Sequence, residues 1–97
     1  MTNAIVLNER DNVATALCEI RSGERISVRN GEEREIEVIQ DIPFGHKFAI
    51  REIQKGEHII KYGEIIGRAL ADIRKGEHVH VHNIESLRGR GDLTSSP

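Results

Sequence analysis

Residues 41–83 read DIPFGHKFAIREIQKGEHIIKYGEIIGRALADIRKGEHVHVHN. Three copies of the pattern acidic–Ile–x–x–Gly punctuate this stretch, DIPFG at 41–45, EIQKG at 52–56 and DIRKG at 72–76, and a fourth, EIRSG, precedes it at 19–23. Shortly after each copy an apolar residue opens a new run: Ile26, Phe48, Ile59 and Val79. The mechanical reading is a corner, in which one strand ends, the chain turns on glycine and the next strand begins. The copies are spaced by 22, 11 and 20 residues, too irregularly for a solenoid or a propeller. A small, mainly β fold with repeated corners is predicted.

Working outward, AIVLN at 4–8 suits a strand, and Asp11-Asn12 makes a turn signal before VATALCEI at 13–20. That second run is short for a helix and is soon followed by Gly23, so a strand is expected. RISV at 25–28 and EIEVIQDI at 35–42 flank Asn30-Gly31, the strongest hairpin signal in the chain, for which a type I′ turn is expected. Alternation places Ile36, Val38 and Gln40 on one face of the second arm and Glu35, Glu37 and Ile39 on the other. Glu32, Glu33 and Arg34 read as a solvated tip. YGEIIGRALADI at 62–73 is the one segment where a short helical turn is expected, bracketed by Gly63 and Gly67 and followed by strand. Beyond Asn83, IESLRGRGDLTSSP carries glycines and charges with no burial period. The division expected is a domain at 1–84 and, at 85–97, a tail or linker that is mobile in isolation.

The chain has 97 residues, one domain's worth. It carries 14 Lys plus Arg against 16 Asp plus Glu, a formal net charge of −2, which excludes the basic footprint of a nucleic-acid binder. Three aromatics, Phe44, Phe48 and Tyr62, leave no stacking platform for single strands, so Ile, Val and Leu must fill the core. Cys18 stands alone and forms no internal disulfide. MTNAIVLNER lacks the basic and apolar regions of a signal peptide, and no window is long and apolar enough for a bilayer. A soluble cytoplasmic protein is expected, with no membrane or nucleic-acid partner. Arg90-Gly91-Asp92 matches an adhesion tripeptide, a chance match in that setting.

All five histidines, His46, His58, His78, His80 and His82, fall within 41–83. On a regular strand His78, His80 and His82 share one face and Val79 and Val81 the other, and two imidazoles at that spacing can converge on one metal. The competing reading is a solvent-facing strand, since no cysteine or nearby carboxylate completes the ligand set. His46-Lys47 at a turn could grip a carboxylate or pass a proton. Lys61 could pair with an anionic substrate and Tyr62 could donate from its hydroxyl, or Tyr62 could simply cap the core.

GHKFAI at 45–50, IIKYGEIIG at 59–67 and DIRKGEHVHVHN at 72–83, with DNVATAL at 11–17 and SLRGRGDL at 86–93, together resemble the small domain of the altronate and galactarate dehydratase family. This is the SAF-type module, whose β-clip fold also occurs in sialic acid synthases and type III antifreeze proteins. The resemblance implies a small subunit, or an N-terminal domain, acting with a large dehydratase subunit to remove water from a sugar acid and yield a 2-keto-3-deoxy acid. It implies a divalent metal, iron in altronate dehydratases, held by this chain or mainly by the large subunit. Carried onto this sequence, it implicates His46 and His80 in proton transfer and Lys47, Lys61, Tyr62 and Asn83 in substrate binding. His78, His80 and His82 are then the metal candidates. Two rivals are the small subunit of a sulfolactate sulfo-lyase and a non-catalytic SAF module that binds carbohydrate or protein. Exposed strand edges leave a homo-oligomer open.

Overall fold

The four acidic–Ile–x–x–Gly units form four corners of one construction. The structure, a computed structural model, describes residues 3–87. The corner isoleucines pair two by two in antiparallel bridges, Ile20 with Ile42 and Ile53 with Ile73. Each bridge has reciprocal backbone hydrogen bonds of 2.7 and 2.9 Å, and all four side chains are buried. The corner glycines take φ of 85–96°, a region that side-chain-bearing residues rarely adopt. The acidic heads of the second and fourth units reach across their bridges: Asp41 Oδ1 accepts from Ser22 N–H and Asp72 Oδ1 from Lys55 N–H, both at 2.9 Å.

A glutamate closes three of these turns. Glu24, Glu57 and Glu77 follow the glycine, and each carboxylate accepts from the N–H at the turn's first residue, Arg21, Gln54 and Arg74. The turn at 43–46 departs from the rule. Pro43 has no N–H to offer, and the closing position is His46, whose N–H still bonds Pro43 C=O at 3.0 Å.

Among the described residues nine strands connect the corners: β1 (Ala4–Ile5), β2 (Val13–Ala16), β3 (Arg25–Asn30), β4 (Glu32–Glu37), β5 (Lys47–Ala49), β6 (His58–Lys61), β7 (Glu64–Ala69), β8 (His78–Val79) and β9 (Ile84–Ser86). They form a four-stranded sheet in the order β1-β2-β5-β8, the β3-β4 hairpin and a three-stranded sheet in the order β6-β7-β9, with every pairing antiparallel. The central strand β5 separates two cores, because successive side chains leave a strand on opposite faces. Phe48 and, just beyond β5, Ile50 pack with Ala14, Ile20, Ile26, Ile36 and Ile42. Ala49, between them, packs with Val13, Ile53, Ile59, Ile73 and Val79. The mainly β expectation holds, as do the predicted alternation in the second hairpin arm and the buried residue opening each run after a corner.

Four local expectations are corrected. Residues 62–67 hold no helical turn: Tyr62 and Gly63, at φ 55° and 80°, form a tight turn between β6 and β7. Pairing of Ile60 with Ile65 and Lys61 with Glu64 outweighs a helical propensity already weakened by two glycines. At Asn30-Gly31 the hairpin forms, but only Gly31 has positive φ, 83°, so the turn is not type I′. The Asn30 amide is tied to the carbonyls of Asn8 and Asp11 instead. The solvated tip is shorter than expected, since Glu32–Glu37 is strand, with Glu33 and Glu35 facing Arg29 and Arg25. Finally, Ile84–Ser86 belongs to the sheet, so ordered structure continues past residue 84. Gly67 permits that pairing, since a Cβ there would lie 2.7 Å from Glu85 C=O. Residues 88–97, including the Arg-Gly-Asp tripeptide, lie outside the described residues. Among the described residues no helix is long and apolar enough to cross a membrane.

Candidate functional site

The turn at 43–46 delivers His46 to the start of β5, and register places His78 of β8 opposite Phe48. His46 Nδ1 and His78 Nε2 come within 2.9 Å, so one ring nitrogen carries the proton and the other accepts it. β8 then stops at Val79 and the chain bends through residues 80–83, where Asn83 N–H bonds His80 C=O at 3.0 Å. The expected run of three histidines on one strand face is therefore broken after two residues. Val79 is buried, whereas Val81 is 77 % exposed. The bend stacks His80 on His46, with ring centroids 4.2 Å apart, and leaves the His82 ring tilted beside His78 at 5.2 Å.

One potential ligand nitrogen from each of His46, His78 and His80 lies within 4.8 Å of the other two. His82 stands outside this trio, and His58, exposed on β6, lies apart. Burial holds the His78 imidazole down at about pKa 4, helped by His46, His82, His80 and Lys47. His80 is lowered from its ordinary value by burial first, then by His46, Lys47 and His82. Neutral imidazoles are the metal-binding form. A donor set of three nitrogens suits zinc or a neighbouring transition metal, iron included, and does not suit calcium or magnesium. The residues present thus fit a divalent transition metal.

Beside the trio lies a groove of about 420 Å³ lined by Lys47, Lys61, Tyr62, Glu64, His80 and Ser86 over Ile66, Val81 and Ile84. Lys47 enters from the first residue of β5, while Lys61 and Tyr62 come from the β6–β7 turn. Lys61 Nζ sits 5.0 Å from the Tyr62 ring centroid. Burial, and secondarily Lys61, lower the Lys47 pKa. Among the described residues Tyr62 is the one non-glycine residue held at positive φ, a cost of about 1–3 kcal/mol that commonly marks a functional position. Two ammonium groups, a phenol and an imidazole around an apolar floor can receive a hydroxylated carboxylate.

Of the residues read from sequence, His46, Lys47, Lys61, Tyr62, His78 and His80 converge here. Asn83 does not line the groove. It is 5 % exposed, its Oδ1 accepts from His80 N–H at 3.0 Å and its Nδ2 donates to His78 C=O at 2.9 Å. Gln40 Oε1 adds a bond from His78 N–H at 2.9 Å. Sequence reasoning passed over Asp11 and Asn12 as a plain turn; both are buried, and their side chains hold the β6–β7 hairpin. A signal for His46 was present, since it breaks the Gly–Glu ending shared by the other three corners.

A family model described as the altronate/galactarate dehydratase SAF domain matches residues 2–87. Altronate dehydratase of Escherichia coli is 48% identical over 79 residues, which are 81% of this chain and 15% of that protein. Altronate dehydratase of Bacillus subtilis is 43% identical over 86 residues, 89% of this chain and 17% of that protein. The (2R)-sulfolactate sulfo-lyase subunit alpha of Chromohalobacter salexigens is 52% identical over 54 residues, 56% of this chain and 57% of that one. The chain thus spans only 15–17% of the length of these altronate dehydratases. With corners, groove and histidine cluster all inside the matched span, the chain belongs to the altronate/galactarate dehydratase SAF-domain family.

Proposed function

We propose that this chain is the SAF portion, as small subunit or N-terminal domain, of a sugar-acid dehydratase, and that it works with a larger subunit to eliminate water from altronate- or galactarate-like acids. The product is a 2-keto-3-deoxy acid. The observation that carries this reading is the convergence of Lys47, Lys61, Tyr62 and His80 on one groove next to His46 and His78. Such an elimination removes a proton beside a carboxylate and expels hydroxide from the neighbouring carbon. Lys47 and Lys61 bind the substrate carboxylate, and the Tyr62 hydroxyl bonds a substrate hydroxyl. His80, on the groove wall, and His46, stacked on it, move the proton.

With a divalent ion bound, ferrous iron being the candidate, His46, His78 and His80 would serve as its ligands and no longer as proton carriers, a task that would then fall to the larger subunit. When bound, such an ion supplies positive charge that offsets the negative charge developing on the reacting acid. The larger subunit supplies the remainder of the active site, which accords with the small share of the relatives' length that this chain covers.

A second reading is supported by the sulfo-lyase alpha subunits, which are closer to this chain in extent, since the matches cover 57% and 72% of them. The same groove would then hold sulfolactate and the leaving group would be sulfite. Co-purification of the tagged chain with its large partner, followed by assay with ferrous iron, decides between them. The dehydratase reading expects 2-keto-3-deoxy acid from altronate or galactarate. Sulfite release from sulfolactate, without sugar-acid turnover, would replace it. A chain that has no large partner and binds a sugar acid alone would mark a binding module.

A further inference from the structure

Two buried asparagines make the same pair of hydrogen bonds on two walls of the site. Asn12 Oδ1 accepts from Ile60 N–H and its Nδ2 donates to His58 C=O, both at 2.8 Å. Asn83 Oδ1 accepts from His80 N–H at 3.0 Å and its Nδ2 donates to His78 C=O at 2.9 Å. In each case one side-chain amide bridges the carbonyl of a residue and the N–H two positions later, as a residue of a parallel strand would. Asparagine suits the task because its amide offers both an acceptor and a donor in one plane.

The clamped backbone is the backbone that carries the chemistry. His58-Ile59-Ile60 leads directly into Lys61 and Tyr62, and Asp11, next to Asn12, extends that clamp by accepting from Gly63 N–H at 2.8 Å. His78-Val79-His80 carries two members of the histidine trio at the point where β8 ends and the chain bends. Among the described residues, β8 pairs with β5, and the bend takes residues 80–83 out of that ladder. A side-chain amide therefore fixes the two imidazoles where sheet pairing ceases.

We propose that Asn12 and Asn83 are paired positioning residues, Asn83 setting the spacing of the His78 and His80 ligands and Asn12 setting the Lys61–Tyr62 wall. This rests on the reading of the trio and groove as the working site. It places Asn83 behind the histidines, acting through the backbone instead of on substrate.

The test uses the full chain with Asn83→Leu and Asn12→Leu, which keep the branching at Cγ and remove donor and acceptor together. Zn²⁺ alone is the probe, followed by calorimetry, histidine ring resonances and amide hydrogen exchange. Asn83→Leu is expected to weaken Zn²⁺ binding by roughly 10–100-fold, the usual effect of losing an outer support of metal ligands. It should also release the His80 amide and separate the stacked His46 and His80 ring signals. Asn12→Leu should leave Zn²⁺ affinity unchanged, release the Ile60 amide and move the Tyr62 ring signals. Protection at Ile20 and Ile42, in a bridge that neither asparagine side chain bonds, reports that each variant is folded.

Should a leucine variant fail that control, Asn83→Asp and Asn12→Asp retain the acceptor and are expected to keep the His80 and Ile60 amides protected. Wild-type Zn²⁺ affinity and His80 protection in Asn83→Leu would overturn the proposal, as would identical effects of both variants on the trio. If the unmodified chain binds no Zn²⁺, the metal reading falls, while exchange at His80 and Ile60 still decides whether the clamps hold their walls.

Discussion

His46 and His78 lie 32 residues apart in the chain, yet their ring nitrogens meet at 2.9 Å. The contact exists because β5 and β8 pair with Phe48 opposite His78, which brings the end of one corner against the start of the next strand. His80 then stacks on His46, and a three-nitrogen cluster results that no contiguous segment contains.

Metal binding should follow this trio. Replacing His46, His78 or His80 with alanine is expected to reduce Zn²⁺ or Co²⁺ affinity by at least about 100-fold, beyond the usual effect of losing an outer-shell support. His82→Ala should change it far less. Calorimetry on the four variants checks this; equal losses at His46 and His82 would contradict the grouping.

The His78 environment predicts an acid-side loss of stability. Its folded pKa of about 4 lies below the ordinary value of 6.5, chiefly through burial. The unfolded chain therefore takes up this proton first. The contribution is fully present above about pH 6.5 and is lost as pH falls toward 4. Urea midpoints between pH 7.5 and 4 should fall more steeply for the unaltered protein than for His78→Gln, because the variant removes this group from the titration.

Tyr62 should trade stability for function. Asparagine tolerates the φ of 55° better than tyrosine and is favoured at the first position of such turns. Tyr62→Asn is thus expected to stabilise the chain by roughly 1 kcal/mol while reducing turnover in the two-chain complex. Thermal unfolding and activity measured on the same preparation check both halves. Tyr62→Phe, which keeps the ring, should lose activity without gaining stability.

Two corner glycines separate backbone strain from steric exclusion. Gly23 and Gly76 have φ of 96° and 88°, but a Cβ at Gly23 meets nothing within 4 Å, whereas one at Gly76 would lie 2.0 Å from Glu37 C=O. Gly23→Ala should cost roughly 1–2 kcal/mol from conformation alone. Gly76→Ala should cost a further 1–3 kcal/mol or so, as overpacking does. Denaturant midpoints measure the difference.

Much of this molecule is local and was therefore legible in the chain. Repeated acidic–Ile–x–x–Gly units predict corners because glycine's φ freedom and the burial of the isoleucine are properties of a few consecutive residues. Alternation in EIEVIQ assigns the buried and exposed faces of the second hairpin arm for the same reason, and the concentration of histidines between 41 and 83 marks where chemistry belongs. The tertiary structure decided what depends on partners distant in sequence. Cross-strand pairing turned 64–69 into a strand and drew 84–86 into the sheet. The end of β8 at Val79 replaced His82 with His46 in the cluster. Asn12 and Asn83 acquired their roles only when each amide met the backbone of a groove wall, since a side-chain amide carries no periodic signal and its partners exist only once the sheets are assembled.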